Sequence, residues 1–146
     1  MVDVGNKEAT ERVAVAHAKI TMRPDTLKAI LDEKLTKGNA LEVGRIAGIL
    51  GAKQTSSLVP MCHPLNITSV KIDFSNNGVD NIDIYSEVKV FGKTGVEMEA
   101  LIAASVCALT IYDMCKSIDK NIVIGDIHLV KKSGGKSGNF TFERGK

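Results

Sequence analysis

With 146 residues, a net charge of +2 and 25% charged side chains, the chain has the length of one compact domain and an ordinary globular composition. Aromatic residues make up 4%, too few for the stacking platform of a single-strand nucleic-acid binder, and no apolar run reaches membrane-spanning length without Glu, Asp or Lys breaking it. Nucleic-acid binding and membrane insertion are disfavoured, no charged-then-apolar leader opens the chain, and a cytoplasmic location is expected.

The amino terminus passes from a polar stretch through Thr10-Glu11-Arg12 into a run of Val and Ala that suits a strand. Arg12 at its entrance is a solvated flank or a bidentate clamp for phosphate or carboxylate, and the sequence alone favours the flank. Pro24 suits a first helical turn, and Leu27, Ile30, Leu31 and Leu35 follow at helical spacing, predicting an amphipathic helix over residues 24–35. Lys37-Gly38-Asn39 breaks that pattern and starts a second helix running to about Lys53. Its small residues Gly44, Ala47, Gly48, Gly51 and Ala52 lower helix propensity and let another element approach closely. Lys53 suits the negative end of the helix dipole as well as it suits catalysis.

In the loop Leu58-Val59-Pro60-Met61-Cys62-His63-Pro64-Leu65, two prolines stiffen the backbone and bias Val59 and His63 away from helix. A lone histidine is more often structural than functional, and this stiffening shifts the balance towards function. Cys62, Cys107 and Cys115 form no CxxC pair; the latter two, eight residues apart on a helix, would stand about 12 Å apart, beyond disulfide reach. Cys62-His63 has no second cluster with which to complete a zinc site, so no metal is expected. Alternation then predicts a hairpin with one wet face, residues 67–75 and 82–91 joined by Asn76-Asn77-Gly78.

The most apolar stretch, Gly92 to Lys116, opens with Thr94-Gly95-Val96-Glu97, which has the form of a capping box, and reads as one buried helix to Ile118. At 3.6 residues per turn Glu99, Val106, Thr110, Asp113 and Ser117 share a face, and a rise of 1.5 Å per residue puts Glu99 and Asp113 about 21 Å apart. One reacting centre can use both only if a second copy packs antiparallel about a two-fold axis and the site is shared between subunits. Asp113 and Lys116, three apart, are neighbours that can hold each other charged or share a proton. Residues 121–129 read as a further strand with His128 on its surface. Lys131-Lys132-Ser133-Gly134-Gly135-Lys136-Ser137-Gly138 combines glycine, lysine and serine as an anion cradle does, without the glycine spacing of a Walker A loop.

These elements give an α+β domain, a mainly antiparallel sheet with helices on one face in a ferredoxin-like arrangement. We expect one domain over residues 1–146 with a flexible basic, glycine-rich segment from about 131. The residues point to acid and base chemistry on an anionic small molecule. Two rival readings are a non-catalytic nucleotide-binding oligomeric module and another enzyme, a nucleotide cyclase or lyase, on the same scaffold.

Taken together, MVDV, KGNALEVGRIAGILGAKQT, LVPMCHPL, GKTGVEMEALIAASVCALTIYDMCK and KSGGKSG resemble, in order and spacing, the MoaC family of cyclic pyranopterin monophosphate synthases. The resemblance implies conversion of 3′,8-cyclo-7,8-dihydroguanosine 5′-triphosphate to cyclic pyranopterin monophosphate with loss of pyrophosphate, in molybdenum cofactor biosynthesis. Carried over by position, it implies catalytic roles for Asp113, Lys116 and Lys37. It places Met61, Cys62, His63, Met98, Glu99, Glu97, Arg12 and Lys132 against the substrate, leaving Glu97 as cap, active-site residue or both. It further implies a hexamer built as a trimer of dimers with the pocket at a subunit interface, and no metal or organic cofactor, although a triphosphate ordinarily arrives with Mg²⁺.

Overall fold

The computed structural model describes residues 1–145. In chain order the elements are β1 (Thr10–Thr21), α1 (Pro24–Leu31), α2 (Ala40–Lys53), α3 (Thr55–Leu58), β2 (Ile67–Asn76), β3 (Asn81–Gly92), α4 (Glu97–Cys115), β4 (Val123–Ser133) and β5 (Phe140–Thr141). The strands form one sheet in the order β2-β3-β1-β4-β5, antiparallel at every junction. Each helical crossover skips one strand: β1 to β2 passes over β3, and β3 to β4 passes over β1. This is the split βαβ plan of a ferredoxin-like α+β fold, with one short strand added at the edge.

Helices cover one sheet face. Ala14, Ala16, Ala18 and Ile20 of β1 and Ile82, Ile84, Val88 and Val90 of β3 meet Ala100, Ala103, Ala104, Cys107 and Ile111 of α4 in one core cluster. Alanines on both sides bring α4 close to the sheet, where Ser86 Oγ donates to the Ala100 carbonyl at 2.6 Å. α4 has the length and composition of a membrane-crossing helix, but here it packs against both the sheet and α2 as a core helix. The small residues of α2 meet it as expected. A Cβ on Gly48 would stand 2.8 Å from the Ala103 carbonyl oxygen, and one on Gly44 3.0 Å from Ile111. Burial raises both core thiols, Cys107 to about 12 and Cys115 to about 11.

Several boundaries differ from the sequence reading. α1 ends at Leu31, four residues early, because Glu33 turns left-handed at φ 54 and the Glu33 and Lys34 amides close onto Ile30 and Ala29. That is a Schellman-type ending with glutamate where glycine is usual. The capping box is not formed. α4 starts at Glu97 behind Val96 with no side-chain cap, and Glu97 is paired with Lys132 instead. Its other end falls at Cys115, three residues early. Beyond it, buried Asp119 accepts from Arg23 N, Thr26 Oγ1 and Asn121 N, each at 3.0 Å, so residues 119–122 form a tie between two turns instead of strand. β4 therefore starts at Val123 and runs through Lys131 and Lys132 to Ser133, paired with β1. The basic stretch is in part strand, and β5 pairs with it.

Candidate functional site

The expected site residues gather in two places, one at each end of α4. At its N-terminal end two cavities share a wall. The first, about 200 Å³, is lined by Lys7, Arg12, Thr94, Glu97, Lys132 and Ser137 among others. Arg12 is held across the sheet by donating Nε to the Gly92 carbonyl at 2.9 Å and Nη2 to that of Lys93 at 3.3 Å. Gly134 and Gly135 turn over it at φ 93 and 76, and a Cβ on Gly135 would collide with the guanidinium. Glycine is thus what lets this loop lie against Arg12. Lys132 donates to Glu97 Oε1 at 2.7 Å and to Ser137 Oγ at 3.3 Å. Burial alone would raise the Glu97 pKa, but the bond from Lys132 and the charges of Lys132 and Arg12 win and lower it.

The second cavity, about 150 Å³, is lined by Met61, Cys62, His63, Met98 and Glu99, with Thr94, Gly95 and Glu97 forming the shared wall. The proline-stiffened loop thus faces the first turn of α4. Glu99 is 4% exposed, and its pKa is raised, by burial foremost and then by the neighbouring Glu97 carboxylate. Burial, followed by the Glu99 charge, raises the Cys62 thiol as well. Two carboxyls on one helical turn are thus pushed in opposite directions, which sets their proton affinities apart.

At the C-terminal end Asp113 stands between two lysines. Lys116 Nζ lies 2.8 Å from Oδ1, and Lys37, from the α1–α2 loop, reaches Oδ2 and the Asp113 carbonyl, both at 3.0 Å. These bonds, Lys116 first, pull Asp113 down to about 2, and the same contact raises Lys116. The pairing of Asp113 with Lys116 was legible as an i, i+3 neighbour relation; the arrival of Lys37 was not. Lys7 stands in no patterned segment and carries no sequence signal, whereas Ser137 lies in the glycine-lysine-serine stretch read as an anion cradle. Thr94, read as a cap, is a cavity wall.

Residues 1–135 match the model of the MoaC family. The chain belongs to the MoaC family. It is 56% identical over 145 residues to the cyclic pyranopterin monophosphate synthase of Desulforapulum autotrophicum, covering 99% of this chain and 89% of that protein. The like-named protein of Desulfatibacillum aliphaticivorans is 57% identical over 98% of this chain and 91% of its own length. That of Desulfitobacterium hafniense is 56% identical over 98% and 88%.

Proposed function

We propose that this protein is a cyclic pyranopterin monophosphate synthase, a lyase of molybdenum cofactor biosynthesis. It takes 3′,8-cyclo-7,8-dihydroguanosine 5′-triphosphate, rebuilds the purine into a pyranopterin, and closes a cyclic phosphate as a ribose oxygen displaces pyrophosphate from the α-phosphorus. The observation that carries this reading is identity above one half across nearly the whole length of relatives bearing that name. The geometry supplies the matching chemistry: cations and a glycine turn for a triphosphate, and acids of contrasting proton affinity for the ring rearrangement.

In this reading Arg12, Lys132 and the loop from Gly134 to Ser137 grip the phosphates. Met61, Cys62, His63, Met98, Glu97 and Glu99 contact the substrate, and Glu99, whose proton affinity burial raises, is the proton donor among them. Asp113, Lys116 and Lys37 carry the proton transfers; Asp113 pairs with both lysines until substrate separates them. No cofactor enters this scheme. Because α4 is unbroken from Glu97 to Cys115, its two ends stay apart in one copy. A complete site therefore takes the C-terminal trio from a neighbouring subunit, as in a hexamer built as a trimer of dimers, a single-domain enzyme working in the cytoplasm. Purified protein given the cyclic dihydro-GTP substrate should release pyrophosphate, with GTP inert. Binding without pyrophosphate release would return the reading to a nucleotide-binding module.

A further inference from the structure

A third cluster lies on the sheet face turned away from the helices. Strand alternation sends Ala16 and Ala18 into the core and His17 to the outer face. Yet His17 is 4% exposed, covered by Tyr85 of β3 and His128 of β4, with ring centroids at 5.0 and 5.1 Å. Both its ring nitrogens face oxygens that only accept. Nδ1 lies 2.8 Å from the Asp126 carbonyl and Nε2 2.7 Å from Asp83 Oδ1. His128 Nδ1 meets the same Asp126 carbonyl at 2.9 Å.

The backbone builds this convergence. Pairing of β4 with β1 shifts register between His17 and Lys19, and Asp126 sits there at φ 51. A left-handed non-glycine residue is uncommon, and bulges of this kind re-aim a side chain. The Asp126 carboxylate is brought to both imidazoles, Oδ2 at 3.7 Å from His17 Nδ1 and Oδ1 at 3.6 Å from His128 Nδ1. One ligand atom from each of the three residues lies within 4.8 Å of the others. Tetrahedral zinc with bonds of about 2.0–2.1 Å spaces its ligand atoms about 3.3 Å apart. The carboxylate–imidazole separations are within a few tenths of an ångström of that, and the two imidazoles have only to turn inward.

We propose that His17, His128 and Asp126 form a binding site for a zinc-class divalent cation, with Asp83 holding His17 from behind. Metal-binding histidines commonly donate their second N–H to a carboxylate, which fixes the ring and its tautomer. Two imidazoles with one carboxylate favour Zn²⁺ over Mg²⁺ or Ca²⁺, which take oxygen donors. The carboxyl-terminal segment covers the site: Phe142 stacks on His128 at 4.4 Å, and Arg144 donates to both Asp126 oxygens at 2.7 and 2.8 Å. Arg144 supplies the positive charge that the ion brings, and its mostly exposed side chain swings aside when the ion enters. An open cavity of about 460 Å³ in front leaves the fourth position to water.

The test is titration of the full-length protein with Zn²⁺ against a chromophoric chelator, and with Co²⁺ for the visible absorption of a tetrahedral site. One equivalent per chain is expected, with His128→Ala weakening uptake about 100-fold or more and Asp83→Asn about 10-fold to 100-fold. Arg144→Ala should tighten binding, and Cys62→Ser should leave it unchanged. His128 is partly exposed, so its alanine variant probes the site without emptying the core. Absence of stoichiometric uptake overturns the proposal, as does equal affinity in His128→Ala, or loss of uptake in Cys62→Ser, which would move the ion to the Cys62-His63 loop.

Discussion

At the N-terminal end of α4, Glu99 is buried beside a second carboxylate, Glu97; at the C-terminal end, Asp113 is exposed between Lys37 and Lys116. Burial pushes the first carboxyl up, and paired cations pull the second down to about 2. One helix thus presents two acids set apart in proton affinity, Glu99 above its ordinary range and Asp113 below it. Burial sets the first because Glu99 packs under the proline-stiffened loop. Pairing sets the second because the helix ends in solvent where two flexible lysines reach it. The ends differ in what a mutation should do: function alone at the exposed end, function and stability together at the buried one.

The sharpest way to break this contrast is to remove the lysine. Lys116→Ala should lower turnover by about 100-fold to 10,000-fold, the range of a lost general acid or base. Its melting temperature should stay nearly unchanged, since exposed ion pairs contribute little. A large fall in melting temperature would make Lys116 a structural residue. Whether the two ends meet across subunits follows from mixing Asp113→Asn with Glu99→Gln protein, each inactive alone. In a symmetric dimer with shared sites, statistical mixing should recover about a quarter of wild-type activity. No recovery in verified mixed oligomers would confine each site to one chain.

The phosphate grip separates from the acids. Arg12→Ala should raise KM for the triphosphate substrate about 10-fold or more, the cost of one lost charged contact, with a smaller effect on kcat. Gly135→Ala should do nearly the same from the other side of the contact, because its Cβ would displace the Arg12 guanidinium. Normal KM in Gly135→Ala would show that the loop can move away without loss of grip.

Midway between the two ends, Gly48→Ala should destabilise by about 1–3 kcal/mol, as overpacking does. The new methyl would meet Ile72 and the Ala103 carbonyl, and backbone cannot yield as a side-chain tip can. An unchanged denaturation midpoint would mean that α2 can slide on α4.

Local patterns read correctly where neighbours in sequence are neighbours in space. The α2 small-residue stripe, the hairpin and the Asp113–Lys116 pair all obey periodicity. The misreadings are long-range. Thr94-x-x-Glu97 has the form of a cap, but Lys132, 35 residues on, takes Glu97 away from it. Lys131 and Lys132 look like a basic tail until β1 offers them a strand partner. His17 shows no pattern at all, because Asp83, Asp126 and His128 reach it from two other strands. Register shifts and a left-handed aspartate have no signature in one sequence.

The smallest expected effect is also the cleanest test of the contrast between the two acids, because its signs are opposite. A carboxyl raised in the folded state favours folding while protonated, so the Glu99 contribution is present at low pH and is lost as pH rises from its ordinary range through the elevated folded value. Glu99→Gln should therefore melt about 1–3 °C above wild type at neutral pH, and the difference should vanish at acidic pH. Asp113 runs the other way. Its contribution is present above the ordinary carboxylate range and disappears as pH falls from about 3.8 towards about 2. Asp113→Asn should then melt at or slightly below wild type at neutral pH and converge with it under strong acid. Two curves of the same sign would mean that a cation pairs with Glu99 in the assembled protein, and the proton donor would have to be found elsewhere.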